Sequence, residues 1–185
     1  MKQNSMTRTL YDPSEMNLVQ ARIRAKELTF KFNHLPPEEA EQKKNIIKQL
    51  FGSTTDNFHI EQTFQCDYGY NIHIGNNFYA NHNLVILDCA PVVIGDNVFI
   101  APNVGIYTAG HPISPKIRNS GLEYALPIKI GNNVWIGGNV VILPGVTIGD
   151  NTTIGAGSVV TTDIANNCVA IGNPCIKIKN ITDFE

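Results

Sequence analysis

A period of six runs through most of this chain and leaves few folds open to it. Ile130, Ile136, Ile142, Ile148, Ile154 and Val160 follow one another at six-residue intervals. Ile94, Ile100 and Ile106 keep the same rhythm upstream, and Ile74, Ala80 and Ile86 form a third series. Glycine often follows the anchor, as at Gly75, Gly95, Gly131, Gly137, Gly149 and Gly155. A small or β-branched residue commonly stands four beyond it, as at Val98, Val134, Val140, Thr152 and Ser158. Six is neither the helical period nor a strand's unbroken alternation. It suits a short strand and a turn, with one bulky aliphatic per hexad facing inward. Three hexads close a triangular coil, and stacked coils build a prism. Gly75-Asn76-Asn77, Gly95-Asp96-Asn97, Gly131-Asn132-Asn133 and Gly149-Asp150-Asn151 are four copies of one corner. Glycine or asparagine enters the left-handed backbone region there at little cost. A β-sandwich would instead space its turn signals about 8–12 residues apart.

The remainder of the chain reads differently. Residues 1–65 hold 17 of the 30 charged side chains, and between Cys66 and Ile176 the basic residues are Lys116, Arg118 and Lys129. Asp12-Pro13-Ser14 starts a helix whose apolar residues are Leu18, Val19, Ile23, Leu28 and Phe32, and Asn33 to Leu35 ends it. Pro36-Pro37 followed by acidic residues opens a second helix, with Ile46, Ile47, Leu50 and Phe51 as its apolar face and Gly52 as its stop. Two such helices need a surface to pack on. The expected organisation is a helical segment over 1–60 resting on a solenoid over 61–185. The hexads fail between Ile106 and Ile130, which predicts a protruding loop over 107–127.

Charge and composition exclude several classes. Fourteen basic and sixteen acidic residues give a net charge of −2, which offers no basic footprint for a nucleic acid or an anionic membrane. The uncharged run Ile130–Gly149 has the length of a membrane helix but carries five glycines, three asparagines and Pro144. The N-terminus MKQNSMTRTLYDP lacks the apolar stretch of a signal peptide. Four cysteines without a Cys-x-x-Cys read as thiols in a reducing compartment. The expectation is a cytoplasmic protein.

The pattern resembles the hexapeptide-repeat acyltransferases, and within them the galactoside and maltose O-acetyltransferase group. The likeness covers nearly the whole chain. It includes Phe32-Asn33-His34, Asp67-Tyr68-Gly69-Tyr70-Asn71-Ile72, Phe78-Tyr79-Ala80-Asn81 and Ile100-Ala101-Pro102-Asn103. Its most specific parts are Gly110-His111-Pro112, Val134-Trp135-Ile136-Gly137 and Gly172-Asn173-Pro174-Cys175. The resemblance implies a mainly β fold, a left-handed parallel β-helix with an N-terminal α-helical segment and a protruding loop. It also implies a homotrimer whose active sites lie between subunits, with acetyl-CoA as cosubstrate and a sugar hydroxyl as acceptor.

His111 lies within the loop, where a rigid prism would place a binding wall. The resemblance makes it the general base of direct transfer, with an oxyanion donor near Gly137 or Gly138 and no acyl-enzyme on Cys66 or Cys89. By the same likeness Asp12, Asp67, Tyr79, Asn81 and Asp88 bind the acceptor. Asp67 and Asp88 could instead cap corners, and the aspartate at 88 could match the family one position later, at Cys89. Relatives often carry serine where Asp67 stands. The implied cofactor positions are Trp135, Gly138, Ala156, Thr161, Thr162, Lys177 and Lys179. Relatives commonly have arginines near the last two, and lysine gives a phosphate a point charge rather than a bidentate fork.

Three other functions fit a prism of hexads. A zinc enzyme of the gamma carbonic anhydrase kind needs converging histidines. No histidine follows His111 in this chain, so no metal requirement is expected. An antibiotic-directed acetyltransferase, or a binding protein without catalysis, are the other readings.

Overall fold

The computed structural model describes residues 9–182. Its body is a three-faced parallel solenoid. The first face stacks Phe58–Ile60, Phe78–Ala80, Phe99–Ile100, Trp135–Ile136, Thr152–Ile154 and Cys168–Ile171, with Ile176–Asn180 closing it antiparallel. The second face stacks Phe64–Cys66, Leu84–Leu87, Gly105–Tyr107, Val141–Ile142 and Val159–Val160. The third stacks Ile72–Ile74, Val92–Ile94, Ile128–Ile130 and Thr147–Ile148. Each strand is too short to bury anything alone. Stacking in register puts every hexad anchor from Ile74 to Val160 into one continuous core.

The corners divide labour that the sequence had left to glycine and asparagine together. Gly145 and Gly157 take the left-handed position at some corners. In the Asx-Asn corners it goes to the final asparagine, and Asn77, Asn97, Asn133, Asn151 and Asn167 have φ of 53–57°. Their side-chain amides form a ladder, each donating to the next coil at 2.8–3.0 Å. Gly131 has no such backbone demand. It is glycine because a Cβ there would meet the side chain of Asp150 and, at 2.8 Å, its backbone nitrogen. Gly131→Ala is therefore expected to force the coils apart and cost about 1–3 kcal/mol. Thermal melting of the variant measures this.

Two helices close the lower end of the prism. α1 (Met16–His34) and α2 (Ala40–Leu50) bury Phe32, Ile47 and Leu50 against Phe51, Phe58 and Phe64. Asn33 fixes the seating, donating to the Phe64 carbonyl and accepting its N–H, both at 2.9 Å. The apolar face expected for α1 needs correction. Ile23 is 52% exposed, and the buried face is Ala25, Thr29 and Phe32. Alanine and threonine let the helix lie close to the solenoid, which a row of large aliphatics would not. The boundary at residue 60 also shifts, since the bridge from Ser53 to His73 and the strand Phe58–Ile60 already belong to the first coil.

After Tyr107 the chain leaves the prism as expected. Ala109–Gly110 pairs antiparallel with Tyr124–Ala125, and α3 (Pro115–Arg118) forms the tip. Glu123 bridges back to Tyr11 through the backbone, which ties the loop's base to the N-terminal segment. The tip itself has little beneath it: Ile113 is 85% exposed. Among the described residues no helix is long and apolar enough to cross a membrane.

Candidate active site

The strands of the second face run out into a cleft of about 660 Å³. Asp67, Leu87 and Cys89, and Tyr107 follow or end successive strands of that face, and all line it. The protruding loop adds Gly110 and His111 on its way out and Glu123 on its way back; α1 adds Val19 and Arg22. The hexads break at this point, so side chains other than core aliphatics can project into the space.

Within the cleft the polar groups are linked. His111 Nε2 lies 3.9 Å from Glu123 Oε1, too far for a hydrogen bond but within reach of an ion pair. Tyr11 donates its hydroxyl to Glu123 Oε2 at 2.9 Å. The Cys89 thiol donates to Asp67 Oδ2 at 3.3 Å. Arg22 donates to the Tyr68 hydroxyl at 2.8 Å and to the Pro13 carbonyl at 2.6 Å. Burial pushes the Cys89 thiol up to about 12, and nearby carboxylates add to this, so it stays protonated at neutral pH. Burial also raises Asp67, while the thiol bond and Arg22 pull the other way. Cys66 is buried and raised still further by burial. A thiolate nucleophile has no support here.

The acceptor residues expected from the sequence fall into separate places. Asp67 and His111 share the cleft. Asp12 does not line it, though Pro13 and Ser14 do; its Oδ1 accepts the Ser14 N–H at 2.8 Å and hydroxyl at 2.7 Å, which lowers its pKa. Asp88 is wholly buried behind the wall, with Oδ1 accepting the N–H of Asp67 at 3.1 Å and of Tyr68 at 2.8 Å. That is the corner-capping alternative. Cys89, one residue on, is the side chain at the cleft.

Asp88 Oδ2 has no partner, and burial raises this carboxyl above its unfolded value. Its contribution to stability is therefore complete at low pH and lost as pH rises through the folded pKa. Asp88→Asn keeps the Oδ1 acceptor and removes the buried charge. It should be at least as stable as the parent at pH 8 and should leave any transferase activity largely intact. Denaturant midpoints at pH 5 and pH 8 check the first point, since the parent should lose ground to the variant as pH rises.

Tyr79 and Asn81 lie elsewhere, on the first face. Tyr79, Phe99 and Trp135 are in register on successive coils, and His59 stacks on Tyr79 with centroids 5.6 Å apart. Trp135 is 57% exposed, so it is available as a wall rather than spent in packing. Gly138 and Ala156 stand at the upper end of the same face, where the Gly157 N–H donates to the Gly138 carbonyl at 2.8 Å. The Gly137 N–H donates to Ile154 at 2.8 Å and is committed to the ladder. Of the two expected oxyanion donors, Gly138 is the one outside it. Lys179 pairs with Val169 on the closing strand of this face, and Lys177 with Ala170. Thr161 and Thr162 are exposed at the end of the second face instead. Among the described residues no three His, Cys, Asp or Glu side chains gather to hold a metal.

Residues 127–162 match the bacterial transferase hexapeptide family (six repeats), and residues 9–55 match the maltose acetyltransferase hexapeptide capping motif. The galactoside O-acetyltransferase of Escherichia coli is 53% identical over 168 residues, 91% of this chain and 83% of that protein. The chain belongs to the hexapeptide-repeat acetyltransferases. A solved maltose O-acetyltransferase from Clostridium difficile superposes with a TM-score of 0.94 at 54% identity, covering 95% of this chain and 94% of that one. A galactoside acetyltransferase in complex with coenzyme A gives 0.93 at 51% identity, over 95% of this chain and 88% of that one. The solenoid is thus the left-handed parallel β-helix of this acetyltransferase family, and the two helices are its capping segment. Sequence reasoning missed Glu123, Arg22 and Tyr68 as cleft residues of the acetyltransferase. Glu123 carried a signal, being the one carboxylate between Ile106 and Ile130. Arg22 carried none, since one arginine on a charged helix marks nothing.

Proposed function

We propose that this chain transfers acetyl from acetyl-CoA directly to a hydroxyl of a sugar, of the maltose, glucose or galactoside type. The observation that carries the reading is the convergence of His111, Glu123 and Asp67 in one cleft, in a chain about half identical to galactoside and maltose acetyltransferases. A neutral imidazole takes the hydroxyl proton as the oxygen attacks the thioester carbonyl. The imidazolium so formed is steadied by the Glu123 carboxylate. The tetrahedral oxyanion accepts from a preorganised N–H, for which Gly138 is the candidate. The C–S bond then breaks, and the imidazolium returns its proton to the CoA thiolate. Asp67 accepts a second hydroxyl of the sugar and orients the ring.

The acetyl donor would run along the first face past Trp135, Gly138 and Ala156, with Thr161, Thr162, Lys177 and Lys179 as further contacts. These groups and His111 are on different surfaces of one chain, so a complete site needs a neighbour's first face against this cleft. A homotrimer with heterologous contacts supplies this three times over. Tyr79 and Asn81 of the neighbour then complete the acceptor site. The test is thiol release from acetyl-CoA with a panel of maltose, glucose and galactosides, and with antibiotic acceptors beside them. Sugar-dependent release with recovery of an O-acetyl ester supports the reading. Release that needs no acceptor, or that answers only to the antibiotics, overturns it.

A further inference from the structure

A second cavity, of about 400 Å³, lies between α2 and the first coil, away from the His111 cleft. Its depths are apolar: Phe32, Ile47, Phe58 and Ile60 are each at most 6% exposed. Its rim is cationic. Lys43 and Lys44 line it, their ammonium groups donating to the carbonyls of Pro37 at 3.3 Å and Asp56 at 3.5 Å. The carboxylate at the rim, Glu61, is engaged by His59 Nε2 at 3.0 Å. An apolar pocket under two lysines is complementary to an apolar body bearing an acid group, and its volume falls in the range of small-molecule sites, about 300–1,000 Å³.

Two residues of its lining touch the acceptor residues of the first face. His59, which lines it, stacks on Tyr79 at an interplanar angle of 9°. His82, which also lines it, donates its backbone N–H to Asn81 Oδ1 at 2.7 Å. We infer that this cavity receives the aglycone of the acceptor, and that the preferred acceptor is a glycoside whose aglycone is an aromatic ring carrying a carboxylate. The sugar sits at Tyr79 and Asn81, the ring enters over His59 between Phe58 and Ile60, and the carboxylate meets Lys43 and Lys44. This rests on the proposed acetyl transfer to a sugar and adds the identity of the group attached to it.

Methyl, phenyl and 4-carboxyphenyl glycosides of one sugar separate the two claims. Turnover of the methyl glycoside tests the proposed transfer alone. The cavity predicts a KM about tenfold lower for the phenyl glycoside and lower again for the carboxyphenyl one, within the range that apolar pockets discriminate. Ala40 lines the cavity from the exposed start of α2, so Ala40→Trp can fill the space without entering the core. It should bring all three KM values together. Lys43→Met with Lys44→Met should erase the advantage of the carboxylate and leave that of the ring. Calorimetry with 4-methylbenzoate reads the cavity without turnover: the parent should bind saturably and Ala40→Trp should not. Equal KM values for the three glycosides, or benzoate binding untouched by Ala40→Trp, overturns the inference even where the methyl glycoside is acetylated. Absence of benzoate binding overturns it even where no glycoside is turned over.

Discussion

His111→Ala is expected to lower acetyl transfer by about 10²–10⁴ while leaving the fold unchanged. The two halves of that result have separate causes. The imidazole is 58% exposed and belongs to a loop, so no part of the core depends on it. A sugar hydroxyl, by contrast, does not attack a thioester at a useful rate while it keeps its proton. The Cys89 thiol, although it lines the same cleft, is held protonated and cannot take over as base or nucleophile. Melting should match the parent within about 0.5 kcal/mol, as for surface substitutions generally. Near-normal turnover would remove His111 from the mechanism.

A mass of three chains, and no transfer by single chains, is the second expectation. Phe99 at 44% and Trp135 at 57% exposure stand in register with Tyr79 on one face, and Ile113 and Ile117 project from the loop. Contiguous apolar surface of this kind is rarely left in water. The loop tip has little of its own prism to rest on, which suits an arm that packs on a neighbour. Charged substitutions at two of these positions, Phe99→Glu with Ile113→Glu, should yield monomers in sedimentation equilibrium. Both side chains are exposed, so the prism should survive them. The monomer should have the parent's circular dichroism and none of its activity. Full activity from such a monomer would contradict a shared site.

The solenoid was legible because its constraint is repeated. One misplaced anchor would be noise, but Ile130 to Val160 makes the same demand six times, and each copy is buried. What the corners do with glycine was not legible, because the atoms that exclude a Cβ at Gly131 come from Asp150, on the next coil. The face of α1 was misread for a related reason: periodicity weighs Ile23 above Ala25, while the close approach of helix to coil favours the smaller residue. In the site, His111 and Asp67 were found through short motifs, and both reach the cleft. Asp88 and Cys89 alternate in direction along a strand's end, and one residue of register decides which side chain meets the cavity. Motif matching does not resolve a single residue. Glu123 and Arg22 join the cleft through the return of a loop and the packing of a helix; the first left only a lone carboxylate in the hexad gap as its trace, and the second left none.

Complementation tests most directly whether His111 and Asn81 act in one site from two chains. His111→Ala and Asn81→Ala are each made inactive, and the two chains are then unfolded together, mixed in equal amounts and refolded. In a ring of three, each site pairs the cleft of one chain with the first face of the next. Random assembly then restores an intact pair in about one site in four. Recovery of about a quarter of the parent's activity, absent when either variant is refolded alone, is the predicted result. A mixture that stays inactive, when the parent regains its activity by the same route, would place both residues in a single chain's site and contradict the shared one.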